Sequence, residues 1–288
     1  MDVFVALLSV ISFIVSCGTA GYNSTYQMIT ENPTVEVKKE PESVPEAENT
    51  HIVNGDFYSF DNKGSGWGFV KKKGSEPEIY KSTAQMFETY STYYLDPKRT
   101  KNIYLTFDEG YENGYTATIL DILKEEKVPA AFFITGPYLE KETALVDRMV
   151  NEGHVVGNHT VNHPNLHKLQ DPQKIADELG GLNHVFFEKY GKNMKYMRPP
   201  EGEYSRRVLA VAQNLGYKTI LWSFAYKDWD TKSQKGKDFA FNQVTPYLHN
   251  GAIILLHAVS KDNTEALRDI INYARQNGYR FASLDELE

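Results

Sequence analysis

Residues 102 to 114 read NIYLTFDEGYENG, a largely apolar run that stops on two adjacent carboxylic acids, Asp108 and Glu109, with a glycine on either side of the turn that follows. A strand of this kind at the head of an alternating β and helical pattern opens either a doubly wound sheet or a barrel. A doubly wound nucleotide-binding sheet places a glycine-rich phosphate turn after its first strand. Here two acids stand in that place, so a closed or nearly closed (β/α) barrel is favoured, with its chemistry at the C-terminal ends of the strands. Neighbouring side chains on a strand point to opposite faces. Asp108 and Glu109 therefore cannot share one role unless the chain has already left the sheet.

Working outward, the first run spans 103–107, and further β-rich runs follow at 130–134, 154–156, 196–198, 219–223, 252–256 and 279–281. Amphipathic segments lie between them near 115–126, 142–152, 172–190, 205–215, 238–248 and 263–277, several ended by Gly153, Gly191, Gly216 or Gly278. AAFFI (130–134) and AIILL (252–256) are almost continuously apolar, as parallel strands covered on both faces must be. The expected fold class is α/β: a distorted (β/α) barrel of about seven parallel strands, preceded by an export signal and a disordered tether.

The chain of 288 residues, 41% hydrophobic, suits one large catalytic domain after an extension. The expected segments are a signal peptide or lipoprotein signal at 1–22, a tether at 23–51, an irregular lead-in packed on the barrel at 52–97, and the catalytic domain at 98–288. FVALLSVISFIVS (4–16) is apolar, uncharged and short for a membrane span, and small residues follow it. Cys17 ends that run in a pattern resembling the lipobox of bacterial lipoproteins; a plain secretory peptide cut near Ala20 is the alternative. Residues 23–51 are rich in Glu, Pro, Lys, Ser and Thr, the composition of a disordered segment. The net charge of −7 argues against nucleic acid or an anionic membrane surface as the main partner. With a single cysteine no internal disulfide is possible.

Polar residues fall repeatedly at expected strand ends: Asp108 and Glu109, then His159 and His163, Arg198, Asp228 with Trp229, and His257. His159 and His163 in GNHTVNHP are four apart, a spacing that suits a divalent metal, although Pro164 makes a tight turn as good a reading as a helix. A pair of solvated loop histidines is the plain alternative. Two imidazoles with a carboxylate and one open position make a catalytic, zinc-type site, which polarises a carbonyl and acidifies a bound water. That is hydrolytic chemistry, which needs a base and an acid; Asp108 and His257 are the candidates. Arg198 can grip Asp108, pair with Asp228, or serve in a structural ion pair. Asp228 can hold His257 protonated. Trp229 and Leu255 either wall an apolar pocket or pack the core.

The motifs TFDEG (106–110), HTVNH (159–163), RPPEG (198–202), KDW (227–229) and LLH (255–257) occur in that order. With them, residues 100 to 287 resemble the polysaccharide deacetylases of carbohydrate esterase family 4. The resemblance implies a metal-dependent hydrolase that deacetylates a sugar polymer, using Zn2+, or Co2+ or Mn2+ in its place. It implies Asp108 as base, His257 as acid, His159 and His163 as metal ligands, and Glu109 in the place of the third ligand. It also implies that Arg198 orients the base, Asp228 tunes the acid, Trp229 and Leu255 cradle the acetyl methyl, and the backbone N–H of Glu201 stabilises the oxyanion with the metal. Three positions depart from the family pattern. Glu109 stands where the ligand is Asp, Ala225 where Asp is more usual, and Glu201 where an aromatic is often found.

Within the family, DEGYENGYT (108–116), QKGK (234–237) and HAVSKDNTEAL (257–267) look most like the bacterial muramic-acid de-N-acetylases. That likeness implies N-acetylmuramic acid of peptidoglycan as substrate, in the step before muramic δ-lactam formation in the spore cortex. The expected partner is peptidoglycan or another N-acetylated glycan, with no nucleic acid. A monomer is expected at the cell surface or wall, touching the membrane only through its N-terminal signal or a lipid on Cys17. Three alternatives stand beside this reading. They are a deacetylase of N-acetylglucosamine polymers, a glycoside hydrolase using Asp108 with Asp228 or Glu109, and a wall-binding protein without turnover. Of the other histidines, His51, His154 and His184 read as structural or solvated, and His167 as a loop residue able to touch substrate.

Overall fold

Runs that are apolar on both faces become parallel strands when helices cover the sheet, and this chain supplies them in succession. The computed structural model describes residues 55–287; the export stretch, Cys17, the tether and His51 lie outside these. The lead-in holds β1 (Ser65–Gly66), the hairpin β2 (Val70–Lys72) and β3 (Ser75–Glu78), α1 (Lys81–Thr89) and β4 (Thr92–Tyr93). The alternating part runs β5 (Asn102–Glu109), α2 (Thr116–Glu126), β6 (Ala130–Ile134), α3 (Gly136–Lys141), α4 (Thr143–Asn151), β7 (Val155–Asn158) and α5 (Pro172–Tyr190). It continues through β8 (Tyr196–Met197), β9 (Glu203–Tyr204), α6 (Arg206–Asn214), β10 (Lys218–Ile220), α7 (Lys237–Val244), β11 (Ile253–His257), α8 (Lys261–Gln276) and β12 (Arg280–Phe281).

Each of the seven β-rich runs forms a strand of one parallel sheet, in the order β11-β5-β6-β7-β8-β10-β4 with β12 beside the start of β5. The additional member, β4, comes from the lead-in and pairs in parallel with β10. The sheet curls until its ends meet: Leu95, just past β4, bridges Ala252, and Phe224, beyond β10, bridges Ile254 of β11. Helix boundaries follow local chemistry. The Asp171 side chain accepts from the Gln173 N–H at the start of α5, with Pro172 in the first turn, and Gly191 at φ +65° stops the helix.

Alternation sorts each strand into two layers. On β5, Ile103, Leu105 and Phe107 join the helix-facing core, whereas Tyr104 faces the barrel interior with Ala131 and Phe133 of β6. On β11, Ile254 and Leu256 face the helices and Ile253 the interior. Each fully buried residue of this size contributes about 1.5–3 kcal/mol through removal of apolar surface from water.

The interior is crowded. A Cβ built on Gly157 in β7 would lie 2.5 Å from the Phe133 ring, and that same ring carries the Arg198 guanidinium 4.2 Å from its centroid. Gly157→Ala is expected to lower stability by about 1–3 kcal/mol, the usual cost of overpacking. Thermal unfolding reads this as a loss of several degrees in Tm. An unchanged Tm would show that the Phe133 ring moves aside freely.

Candidate active site

Asp108 is the last inward-facing residue of β5, and the pairing of β5 with β11 sets it directly beside His257. Two side chains in register on neighbouring parallel strands share a face, with their backbones about 4.8 Å apart. Both line a cleft of about 930 Å³ at the C-terminal rim of the barrel, together with His159, His163, Glu201, Trp229 and Leu255.

Arg198, one residue past β8, is wholly buried beneath this cleft. Its Nη1 donates to Asp108 Oδ1 at 2.7 Å, Nη2 to Thr106 Oγ1 at 2.9 Å, and Nε to the Ile220 carbonyl at 3.0 Å. The rings of Phe133 and Trp222 pack on its guanidinium, 4.2 and 5.5 Å away. Burial by itself raises the Asp108 pKa. The charges of Arg198, His159 and His257 outweigh it and hold this carboxyl below its ordinary value. Asp108 is an ionised, oriented acceptor.

His257 is held from behind. Asp228, itself buried, accepts from His257 Nδ1 at 2.7 Å and from the His257 backbone N–H at 2.8 Å. Burial pulls the imidazole down, but the hydrogen bond and charge of Asp228 outweigh it, and the pKa rises above the ordinary value of 6.5. Asn263 Nδ2 donates to Asp228 at 2.6 Å, and Tyr226 hydrogen-bonds Asn263 in turn. The QKGK and HAVSKDNTEAL segments meet here: Gln234 accepts from the Ser260 hydroxyl at 3.0 Å, and Asp262 from the backbone N–H of Gly236 at 2.8 Å. They brace the loop behind the imidazole.

His159 and His163 approach with ring centroids 4.8 Å apart. The spacing is made by a turn rather than a helix, with Thr160 at φ +72° and His163 at φ +57°. His159 Nδ1–H donates to the Arg198 carbonyl at 2.8 Å, which leaves Nε2 facing Asp108 Oδ2 at 3.6 Å. Burial pulls the His159 pKa down to about 4, so this imidazole is neutral.

Glu109 is the correction. β5 continues through it, with Glu109 paired to Ile134, so alternation turns it to the helix-facing side in line with Ile103, Leu105 and Phe107. It is wholly buried, both carboxylate oxygens lack a hydrogen-bond partner, and it does not line the cleft. Among the described residues no three His, Cys, Asp or Glu side chains converge to hold a metal ion. The glycoside-hydrolase reading loses its second carboxylate for the same reason, because Glu109 faces away and Asp228 is spent on His257. His167 is also absent from the cleft wall, packed near Glu203 at 3.8 Å.

Trp229 stands half exposed with its ring 5.5 Å from that of His257, and Leu255 is buried in the cleft wall. Sequence reading passed over Thr106, Asn263 and Trp222. Thr106, inside TFDEG with the inward parity of Asp108, carries a usable signal, and Asn263 lies inside HAVSKDNTEAL; the bond of Asn263 to Asp228 and the part of Trp222 show only in tertiary contact.

The polysaccharide deacetylase family profile matches residues 96–220. The chain is 42% identical over 228 residues, 78% of its own length and 86% of the relative's, to the peptidoglycan-N-acetylmuramic acid deacetylase PdaA of Bacillus subtilis. It is 35% identical to a peptidoglycan-N-acetylglucosamine deacetylase of Bacillus cereus, over 66% of this chain and 90% of that one. The solved structure of B. subtilis PdaA, a family 4 carbohydrate esterase, superposes with a TM-score of 0.76, covering 79% of this chain and 97% of that chain. With the ordered motifs on the rim of a parallel barrel, these likenesses establish that the chain belongs to the polysaccharide deacetylase family, carbohydrate esterase family 4.

Proposed function

We propose that this protein hydrolyses the N-acetyl group of N-acetylmuramic acid in peptidoglycan, acting outside the cell at the wall. The observation that carries the chemistry is the in-register pair of an ionised Asp108, gripped by Arg198, and a His257 held by Asp228. The choice of sugar is supported by the 42% identity to a relative named for N-acetylmuramic acid against 35% to one named for N-acetylglucosamine. Export through the N-terminal stretch, with or without lipid on Cys17, agrees with a wall substrate.

In the proposed reaction a water oxygen attacks the acetamide carbonyl carbon while Asp108 takes a proton from that water. The negative oxygen of the tetrahedral intermediate lies toward the backbone N–H of Glu201. His257 then gives its proton to the amide nitrogen as the C–N bond breaks, leaving acetate and a free amino sugar. Trp229 and Leu255 bound the apolar side of the cleft where the methyl sits.

Metal-dependent hydrolysis is general in this family. In this chain His159 and His163 offer two imidazoles of the right type for a divalent cation such as zinc, cobalt or manganese. Among the described residues no third donor joins them, since Glu109 is turned to the opposite side of β5.

Three outcomes follow. Acetate release from purified peptidoglycan, with glycan chains left intact, is expected for the wild type and is expected to fall about 10²–10⁴-fold in His257→Ala, the range for loss of a general acid; shortened chains would restore the glycosidase reading.

Turnover needs Asp108 ionised and His257 protonated, so kcat/KM is expected to plateau from below the ordinary Asp value of 3.8 to above 6.5. Asp228→Asn is expected to move the alkaline limb downward, because the carboxylate that raises His257 is gone; a limb that stays in place would remove Asp228 as the group tuning the acid.

Glu109 carries a pKa raised by burial, then by Glu112 and Asp108, so above its ordinary value the folded state holds more of this proton than the unfolded state does. This group therefore costs stability progressively as pH rises above 4.5, its ordinary value. Glu109→Gln is expected to match the wild-type Tm near pH 4 and exceed it at pH 7, with zinc affinity by calorimetry unchanged. Lost zinc affinity would make Glu109 a ligand after all.

A further inference from the structure

We propose that Trp67, which lies outside the five motifs and outside the family-matched span 96–220, is a positioning residue for the oxyanion side of the cleft. The proposal rests on the reading above that the Glu201 N–H receives the oxyanion.

The turn in question is Pro200-Glu201-Gly202, just past β8. Glu201 sits at φ +59° and ψ 6°, and Gly202 at φ +68°. A residue with a side chain keeps a left-handed backbone only where its surroundings enforce it. The turn's own bonds run from the Gly202 N–H to the Pro199 carbonyl at 3.1 Å and from the Glu203 N–H to the Pro200 carbonyl. Among the described residues they leave the Glu201 N–H without a partner, in a residue that lines the cleft.

Trp67 supplies the enforcement. β1 pairs antiparallel with β9, Ser65 opposite Tyr204 and Gly66 opposite Glu203, which brings Trp67 onto Gly202. Its backbone N–H donates to the Gly202 carbonyl at 2.9 Å, and its indole Nε1–H donates to the Trp222 carbonyl at 2.8 Å. Gly202 and Trp222 both line the cleft, one beyond β8 and the other beyond β10. The two N–H groups of one residue thus tie together two neighbouring sections of the catalytic rim, where β8 and β10 are only two and three residues long. Gly202 is sandwiched: a Cβ there would lie 2.7 Å from the Trp222 ring and 3.3 Å from the Trp67 Cβ.

Trp67 is itself immobilised. Its ring centroid lies 5.3 Å from those of Phe87 and Tyr94 and 5.4 Å from that of Phe69. The segment before it is strapped to α6, where Arg207 donates to the carbonyls of Tyr58 and Phe60, both at 3.1 Å, and its backbone N–H to Asp61 at 3.1 Å. Trp67 also spends both polar hydrogens on carbonyls of the cleft wall.

The test compares Trp67→Phe, which keeps a ring and the backbone N–H but loses the indole bond, with Trp67→Ala and with Phe69→Leu, which loosens the same aromatic group without touching either carbonyl. Acetate release from N-acetylmuramic-acid-containing glycan is measured as kcat and KM, beside Tm. Trp67→Phe is expected to fold and to lose about 10-fold in kcat with KM within about twofold, and Trp67→Ala to lose about 10²-fold, the scale of a misplaced catalytic contact. Phe69→Leu is expected to keep wild-type kcat. Wild-type kcat in Trp67→Phe, or an equal kcat loss in Phe69→Leu, would overturn the proposal while leaving the deacetylase reading intact. Absence of acetate release by the wild type would overturn both.

Discussion

Beneath the cleft the buried Arg198 guanidinium pairs with Asp108, and the strands of the barrel converge on this ion pair. Arg198 has no exposed surface, so its charge is tolerable only because nearly every N–H finds a partner. Removing one member of such a pair costs about 3–5 kcal/mol, because the other is left buried and uncompensated. Four strands must therefore arrive together: β5 with Thr106 and Asp108, β6 with Phe133 under the guanidinium, β8 leading to Arg198, and β10 with the Ile220 carbonyl. The barrel interior is shaped around the Arg198 guanidinium, and that cation keeps Asp108 ionised.

His257 is governed by the opposite arrangement of charges. His257 is partly buried by a wall that would discharge it, yet Asp228 holds its Nδ1 and keeps the proton on. A cation behind the carboxylate and a carboxylate behind the imidazole push the two groups into complementary protonation states on adjacent strands. Such a separation lets one cleft both take and give a proton near neutral pH.

Much of this was legible in the sequence, for identifiable reasons. The seven strands announced themselves as apolar runs between amphipathic segments, and the rim residues followed because barrel chemistry sits at strand ends. Parity along β5 posed the right question about Asp108 and Glu109. Its answer depended on whether the strand continues through position 109, and the pairing of Glu109 with Ile134 decides that in three dimensions. What stayed hidden was built from contacts distant in sequence. β4 is two residues long and shows no period, and Trp67 reaches Trp222 across 155 positions. Asn263 reads as an ordinary first-turn residue of α8 until its bond to Asp228 is seen. The lead-in is correspondingly more than a covering layer: it supplies β4 to the sheet and Trp67 to the rim.

We propose that this cleft removes acetyl from muramic acid and spares glucosamine in the wall. The measurement that tests it most directly is mass spectrometry of peptidoglycan fragments after incubation with the protein, assigning each lost acetyl group to muramic acid or to glucosamine. Acetyl is expected to be lost from muramic residues while glucosamine residues keep theirs. Loss confined to glucosamine, or none from either sugar, would contradict it.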